Sequence, residues 1–307
     1  MNPSYTIRRA APTLADAEAL LRVEQGSLAD SPYSAERLRA ILARTEHHAY
    51  LAARPLPEGG EEAVGFCSTF ETPLDAGDGL RLEIDMLGVL PEHRGRGLAT
   101  RLIRRAVEDA RGRGVRAFRG VVAEENVASQ RAFCGAGLRP EPSGRELLIY
   151  SIGGTSPVEL PGGLRYARLD AGSLPVPGAA GEPFDASPGR PVHCVTTMAG
   201  HTVALAASLC VHTLSYEGLW IERLWAEGDL ALRAAIRAVV EEAKRLGLDE
   251  VGHLGSAADD PWLREGYLSM GRYRVFSLGP NAEAAHPSSA AGVSGSAKGL
   301  PAPCDQT

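Results

Sequence analysis

The sequence has few of the residues that cross-link a chain or bind metals, and those few lack the usual spacing. Its 307 residues include five cysteines, an odd number at wide spacing without a Cys-x-x-Cys pair. Neither a disulfide framework nor a zinc site is predicted, and we expect reduced thiols. The eight histidines show no ligand spacing either, so we expect no metal.

Long apolar runs and an excess of positive charge are also missing. No segment is long and apolar enough to cross a bilayer, and the residues after Met1 do not begin a signal peptide. The formal net charge of -6 gives no electrostatic case for nucleic acid. We therefore expect a soluble, cytoplasmic protein without a membrane or nucleic-acid partner; its oligomeric state stays open.

Glycine and arginine are instead concentrated in one short segment. It consists of Arg94, Gly95, Arg96, Gly97, Leu98, Ala99 and Thr100. The segment follows an apolar, strand-like run over 80–90 and opens an amphipathic helix. The apolar residues of that helix recur at helical spacing: Leu98, Leu102, Ile103, Ala106, Val107 and Ala110. A further strand is predicted over 117–123.

The junction between strand and helix at 94–100, here called the corner, is a favourable position for an anion. The first amides of a helix have no acceptor within the helix, the helix dipole is positive there, and glycines allow close approach. The arginines add charge, so a diphosphate is predicted, and the chain is interpreted as an enzyme with a phosphate-bearing carrier. The segment matches neither the dinucleotide pattern Gly-x-Gly-x-x-Gly nor a Gly-Lys-Ser/Thr loop. A plain polar turn is the alternative.

Two motifs in order carry a family resemblance. The pattern Arg/Gln-x-x-Gly-x-Gly/Ala is matched by Arg94, Gly97 and Ala99, after a Val-x-Pro at 89–91. A second pattern is matched by Asn126, Ser129, Phe133 and Gly137. With these motifs, residues 80–140 resemble the acetyl-CoA-binding core of the GNAT superfamily of N-acetyltransferases. The resemblance implies an acyltransferase with an α/β fold, a mixed sheet with helices on both faces, and acetyl-CoA as co-substrate.

The resemblance also implies which residues bind the coenzyme. The backbone of Leu87, Gly88 and Val89 would hold the pantetheine arm, with Gly88 suited to a bulge. The segment 94–100 would hold the phosphates. Asn126 would bond the pantetheine or only cap a helix, and Ser129 and Phe133 would flank the arm. Many relatives have a tyrosine at Phe133 that protonates the thiolate; Ser129, Cys134 or water would replace it here.

Two carboxylates are candidates for the general base. Glu83 and Asp85 are two apart on a strand, so they share a face, opposite to Ile84 and Met86. Glu83 lies eleven residues before Arg94, the offset of the base glutamate in histone-acetylating relatives, and is the first choice. Either carboxylate could instead be a solvated strand residue. The resemblance places the acceptor pocket around residues 24–36.

The elements of the first half fit a complete domain over 1–152. Strands are predicted over 5–9, 49–52, 63–71 and 145–152, the last closing the sheet, and helices over 13–26 and 34–44, the first of them capped by Thr13.

The second half repeats part of this order. Ile236 to Leu248 aligns with Ile103 to Val115 without a gap, which indicates duplication. Strands are predicted over 219–226 and 250–254. At the second corner, 227–232, two carboxylates replace the arginines, so this copy should not bind the coenzyme. The arrangement resembles that of the mycothiol synthase family, in which, however, the working copy is the C-terminal one.

The second copy is predicted to be truncated. Residues 171–191 read as a linker because nine of 21 are Gly or Pro, which leaves no room for the first two helices. We predict a first domain over 1–152, a strand and linker over 153–191, a degenerate copy over 192–280 and a disordered tail over 281–307.

The predicted function is acetyl transfer from acetyl-CoA to a primary amine of a small molecule. Two alternatives stay open: a protein N-terminal or lysine acetyltransferase, and a non-catalytic CoA-binding sensor or scaffold. The second copy would pack against the first or shape the substrate cleft.

Overall fold

The computed structural model describes residues 4–28, 34–74, 79–153, 160–178, 181–214, 216–255 and 260–279. The first half contains β1 (Thr6–Arg9), α1 (Leu14–Ser27), α2 (Ala35–Leu42), β2 (His47–Pro55), β3 (Glu61–Pro73), β4 (Leu80–Val89), a 3-10 turn (Pro91–His93), α3 (Leu98–Gly112), β5 (Ala117–Ala123), α4 (Val127–Gly135), β6 (Arg139–Pro140) and β7 (Arg145–Ser151). The second half contains β8 (Leu164–Leu169), β9 (Gly172–Leu174), β10 (Phe184–Ala186), β11 (Val192–Thr197), β12 (Thr202–His212), β13 (Glu217–Ala226), α5 (Asp229–Arg245), β14 (Glu250–Gly255), α6 (Asp260–Arg264) and β15 (Leu268–Leu278).

Strands of both halves form one mixed sheet. Its order is β1-β2-β3-β4-β5-β15-β7-β14-β13-β12-β11-β8, and β6 pairs with β15 beside this path. Within it β4 is parallel to β5, and β13 is parallel to β14. A helix joins each of these pairs, α3 in the first half and α5 in the second. The predicted mixed α/β fold is confirmed, and the same strand–helix–strand unit occurs in both halves.

The two halves exchange their last strands. β15 pairs with β5 on one side and with β7 on the other, and β7 in turn pairs with β14. The prediction that residues 145–152 close the sheet of the first half is therefore corrected, because β15 takes the position beside β5. The predicted boundary at residue 152 cuts through one continuous sheet.

Helices cover both faces of the first half. The six apolar residues predicted for α3 are all buried, against the face of the sheet that also carries Ile84. On the other face, α1 and α2 pack with Leu51 and Phe66. The side chains of Thr13 and Ser34 cap these two helices by accepting hydrogen bonds from the amides of the first turn. Strand β4, with the predicted carboxylates, lies between these layers.

The segment predicted to be a linker has structure of its own. β9 and β10 form a small antiparallel sheet, and Phe184 packs against β11 and β12. Arg190 follows this sheet and is 1% exposed. No helix occurs between β8 and α5 in the described residues, in accord with the predicted truncation. The predicted disordered tail lies outside the described residues.

The sequence also led to predictions about membrane-spanning segments, metal ligands and cysteines, which the described residues address as follows. No helix in the described ranges is long and apolar enough to cross a membrane. Within the same ranges, no group of His, Cys, Asp or Glu side chains could hold a metal ion. Cys67, Cys134, Cys194 and Cys210 are free cysteines.

Candidate active site

The glycine-arginine corner presents uncapped helix amides to the surface. Gly95 and Gly97 have φ values of 73° and 72°, in the left-handed region that favours glycine. Gly97 is the N-cap of α3, where no side chain caps the helix. The first hydrogen bond into the helix is donated by the Arg101 amide to the Gly97 carbonyl, at 3.1 Å. The amides before it have no acceptor within the helix, which is the condition on which the predicted anion site depends.

The two arginines of the corner have different surroundings. Arg94 donates from Nε to the Val89 carbonyl at 2.9 Å, and from its terminal nitrogen to the Ser27 carbonyl at 3.2 Å. These bonds tie the corner to the ends of β4 and α1. Arg94 therefore fixes the shape of the corner, whereas the Arg96 side chain is exposed to solvent.

A gap between β4 and β5 leads to this corner. The two strands pair only from Arg81 opposite Ala117 to Ile84 opposite Gly120. Beyond Ile84, β4 continues to Val89 along β3 only, so the edge that faces β5 carries backbone groups without a strand partner. Leu87, Gly88 and Val89 lie on this edge, where the family resemblance places the coenzyme arm.

The bulge in β4 is not at Gly88. Gly88 pairs regularly with Phe66, while Cys67 opposite Leu87 is followed by Thr69 opposite Ile84. The extra residue therefore falls at 85–86. A Cβ on Gly88 would lie 2.5 Å from a Phe66 ring carbon, so close packing explains this glycine.

The bulge also changes which side chains share a face. Glu83 and Asp85 line one cavity, together with Ile84 between them in sequence. Met86 packs against the core under α1 and α2, whereas Ile84 packs on the opposite, α3 side. The prediction that Met86 shares the face of Ile84 is therefore wrong, because the bulge interrupts the alternation.

The second motif has structural contacts of its own. The Asn126 side chain caps α4 by accepting from the Ser129 amide at 3.0 Å. Phe133 is 3% exposed and packs on Phe276, with ring centroids 5.4 Å apart. Its ring also covers Gly120, where a Cβ would lie 2.1 Å from it. These contacts account for Asn126 and Phe133 as fold residues; their coenzyme roles stay predictions.

A cavity of about 570 Å³ lies between the two halves of the chain. The first half contributes Phe70, Glu83, Ile84, Asp85, Arg119, Val121, Leu147, Ile149 and Ser151, and the second half contributes Val211, Thr213, Tyr216, Trp220, Glu250, Leu268, Met270 and Tyr273. The resemblance places the acceptor pocket around residues 24–36, yet no described residue of that segment lines this cavity. The second half forms about half of the wall.

Glu83 is held in a compact lattice of four charged side chains. Arg81 Nε lies 2.5 Å from Glu83 Oε1, and Arg119 Nε lies 2.9 Å from Glu83 Oε2. The same two arginines contact Glu222 of β13, at 3.1 Å and 2.7 Å. Burial raises the pKa of Glu83, but Arg119 and Arg81 outweigh it and hold this pKa below its ordinary value. Glu83 is therefore a weak base.

Asp85 has the opposite electrostatic setting. Burial raises the pKa of Asp85 to about 6, although the Leu214 amide and the Ser68 hydroxyl oppose the shift. These two groups donate to Oδ2 at 3.0 Å and 3.4 Å. Ser68 Oγ lies 3.0 Å from His47 Nε2. With one oxygen held and a pKa near neutrality, Asp85 suits proton transfer better than Glu83.

Glu250 is a second carboxylate of the cavity with a raised pKa. Burial, together with the charge of Asp249, raises the pKa of Glu250 to about 7. Sequence reasoning identified Glu250 only as a strand residue, and it missed Arg119 and Glu222. For Arg119 and Glu222, the available signal in the sequence was a charged residue inside a largely apolar strand.

The corresponding corner of the second half carries the predicted acidic residues. Gly228 caps α5 with extended backbone, and Glu227 and Asp229 flank it. Asp229 Oδ1 lies 3.4 Å from a terminal nitrogen of Arg264. Negative charge at this corner disfavours a phosphate. That this copy is degenerate stays a prediction.

The comparisons with known proteins define the class. Residues 16–136 match the model of the Acetyltransferase (GNAT) family. This segment, about two fifths of the chain, is therefore similar to that family, in agreement with the two sequence motifs. No curated protein matches the chain.

Two solved structures are similar over most of the chain. One is described as a GCN5-related glucosamine N-acetyltransferase region of a fungal multi-domain GH3 beta-N-acetylglucosaminidase, with 14% identity and a TM-score of 0.55; the match covers 91% of this chain and 38% of that one. The other is a GCN5-related N-acetyltransferase from Sphaerobacter thermophilus, with 18% identity and a TM-score of 0.51; it covers 89% of this chain and 95% of that one. At these identities the likeness shows the fold.

Proposed function

We propose that the protein transfers the acetyl group of acetyl-CoA to a primary amine of a small molecule, with Asp85 as the general base. The observation that carries this proposal is the position of Asp85. It lies on the last part of β4, where the strand leaves β5, and it lines the cavity between the halves.

The residues of the first half fit the coenzyme. The open edge of β4 at Leu87 to Val89 offers backbone groups to an amide-rich arm, and it runs toward the uncapped amides of α3. The exposed left-handed Gly97 keeps side chains away from those amides. Bound there, acetyl-CoA supplies the activated acetyl group. Arg96 is the cation nearest in sequence that is free to meet its phosphates.

The opposite pKa shifts of Glu83 and Asp85 indicate which of the two carboxylates accepts the proton of the amine. An acceptor amine must lose a proton to become a product amide, and a base works best when its pKa is near the working pH. The pKa of Asp85 meets this condition, whereas two arginines hold Glu83 in its ionised form. Since Oδ2 of Asp85 accepts the Leu214 and Ser68 bonds, Oδ1 is the oxygen that receives the proton. This choice replaces Glu83, the first choice from sequence.

The shape of the cavity favours a small molecule over a polypeptide. Its volume of about 570 Å³ is within the usual range for small-ligand pockets, roughly 300–1,000 Å³. Strands of the second half face β3 and β4, as the packing of Phe70 against Leu209 and Val211 shows. An extended peptide would have to displace this packing.

A thiol-release assay with a panel of primary amines tests the proposal. Acetyl-CoA is incubated with the protein and each amine, free thiol is measured over time, and the product is identified by mass. We expect release that depends on an amine and yields its acetylated product. Tight coenzyme binding with no release for any amine would support the sensor instead. Acetylation of peptides alone would support the protein-directed alternative.

A further inference from the structure

The charges that line the cavity do not balance. Arg119 is the one basic side chain among the described lining residues, and it is engaged by Glu83 and Glu222 in the four-residue lattice. Within that lattice two arginines balance two glutamates, and the buried Arg190 also lies 4.0 Å from Glu222, so the lattice leaves no acidic charge over. The remaining acidic groups of the wall are Asp85, from the first half, and Glu250, from the second.

Neither of these two carboxylates has a basic partner within the part of the chain that the structure describes. Asp85 accepts from one amide and one hydroxyl. Glu250 has no side-chain hydrogen bond or ion pair there, and the charged group that acts on it is the like charge of Asp249. A charge withdrawn from water is costly unless an opposite charge meets it. The cavity therefore favours an occupant that brings positive charge to both positions.

The electrostatic setting of Tyr216 reflects the negative potential of the cavity. The Tyr216 ring lies against the cavity, and after burial itself, the charges of Asp85, Glu250 and Glu83 raise its pKa. That order shows the phenol within electrostatic reach of all three carboxylates. Glu24 of α1 adds a further negative influence on Asp85. An anionic acceptor would be repelled here.

Apart from these charged groups, the wall of the cavity is largely apolar and partly aromatic. Phe70, Val121, Ile149 and Trp220 line it, and Leu268 and Met270 continue it at a point where both are more than half exposed. Apolar surface of this kind packs on alkyl or aromatic groups, and aromatic faces also attract cations. The spacer of the occupant is therefore apolar.

We infer that the acceptor is a diamine with an apolar spacer, whose reacting nitrogen meets Asp85 and whose second nitrogen is bound by Glu250. The inference rests on the proposed function and adds the substrate class and a specificity residue from the second half. A monoamine of the same length would leave the Glu250 carboxylate without a partner. The second half thereby selects the substrate, although its own corner is acidic.

Matched amines and one isosteric variant test this inference. Aliphatic diamines from propane to octane are compared with monoamines of the same chain length, and kcat/KM is measured for wild type and Glu250→Gln. We expect the best diamine to exceed its matched monoamine by about tenfold or more in wild type, as one charge-assisted contact would give. In Glu250→Gln this ratio falls to near one. Because the ratio is taken within one preparation, partial unfolding of the variant cancels.

The control is Glu227→Gln, an exposed carboxylate of the second half away from the cavity, which should keep the wild-type ratio. Calorimetric titration of the diamine into the CoA-bound protein gives a readout independent of turnover, and we expect binding to weaken about tenfold or more in Glu250→Gln. Equal use of diamines and monoamines by wild type, or a ratio that survives in Glu250→Gln, overturns the inference. Absence of thiol release with either class would instead count against the proposed function.

Discussion

The Leu214 amide donates a hydrogen bond to Asp85 Oδ2 at 3.0 Å, so a turn of the second half holds a carboxylate of the first. The Leu214 side chain is fully buried in the core under α1 and α2. The turn is closed by the Thr213 amide, which donates to the Tyr216 carbonyl at 3.0 Å. The second half thus positions the proposed base and walls the cavity beside it.

The choice between the two carboxylates leads to the first prediction. Asp85→Asn keeps an oxygen for the Leu214 amide but cannot accept a proton, so we expect kcat to fall by roughly 10²-fold or more with coenzyme affinity unchanged. Glu83→Gln is the matched comparison and should lower kcat less in the fraction that stays folded. Steady-state kinetics and calorimetry with CoA measure both. The reverse order of the two effects would restore Glu83 as the base.

The pKa of Asp85 leads to a prediction about pH. Only the ionised carboxylate can accept a proton, so kcat should rise with pH and level off above the pKa of about 6. The rise should follow a single ionisation in that region. Kinetics at saturating amine, in buffers of constant ionic strength, measure the profile. A flat profile from about pH 5 to 8 would contradict a role for this group as base.

Removing the buried charge of Asp85 should also stabilise the fold. Its folded pKa of about 6 lies above the value of 3.8 for an unperturbed aspartate, so the folded state binds the proton more tightly. The ionised group therefore costs stability, and this cost grows as pH rises from about 4 to 6 and is complete above it. We expect Asp85→Asn to gain on the order of 1–2 kcal/mol near pH 7 and little near pH 4. Denaturant titrations at both pH values measure the difference; a variant less stable than wild type near pH 7 would refute the assignment of the shift.

The lattice around Glu83 predicts a large loss of stability in Glu83→Gln. The change leaves two arginines with one carboxylate in a buried setting, and breaking such a pair costs about 3–5 kcal/mol. The matched control is Glu62→Gln, because its pair with Arg54 is about 40% exposed and should cost below about 1 kcal/mol. Chemical denaturation measures the free energy of unfolding of both variants and of wild type. Similar losses would show that the lattice adds no more than a surface pair.

Much of the first half could be predicted because its signals are local. The apolar spacing of α3, the cap at Thr13 and the glycines of the corner each act within a few residues. The pairing of Glu83 with Asp85 on one face follows from strand alternation alone. Both side chains line the cavity between the halves.

The remaining features of the fold and of the site depend on contacts between segments that are far apart in the sequence. Nothing near β15 shows that it lies beside β5, because several strands of similar pattern could take that position. The bulge at 85–86 reverses Met86 without a glycine to indicate it. The preference for Asp85 over Glu83 arises from the burial of Asp85 and from the two arginines beside Glu83, conditions that exist only once the strands have paired and packed.

Coenzyme binding is proposed to depend most on the corner of α3, and titration of two glycine variants with acetyl-CoA tests this most directly. Gly97→Glu and Gly114→Glu each place glutamate at an exposed, left-handed position with open space around it, at the two ends of one helix. They share strain and charge, but only Gly97 lies at the proposed phosphate cradle. We expect acetyl-CoA to bind wild type and Gly114→Glu alike and to give no binding heat with Gly97→Glu. Equal binding of acetyl-CoA by both variants, or no binding heat with wild type, would contradict coenzyme binding at this corner.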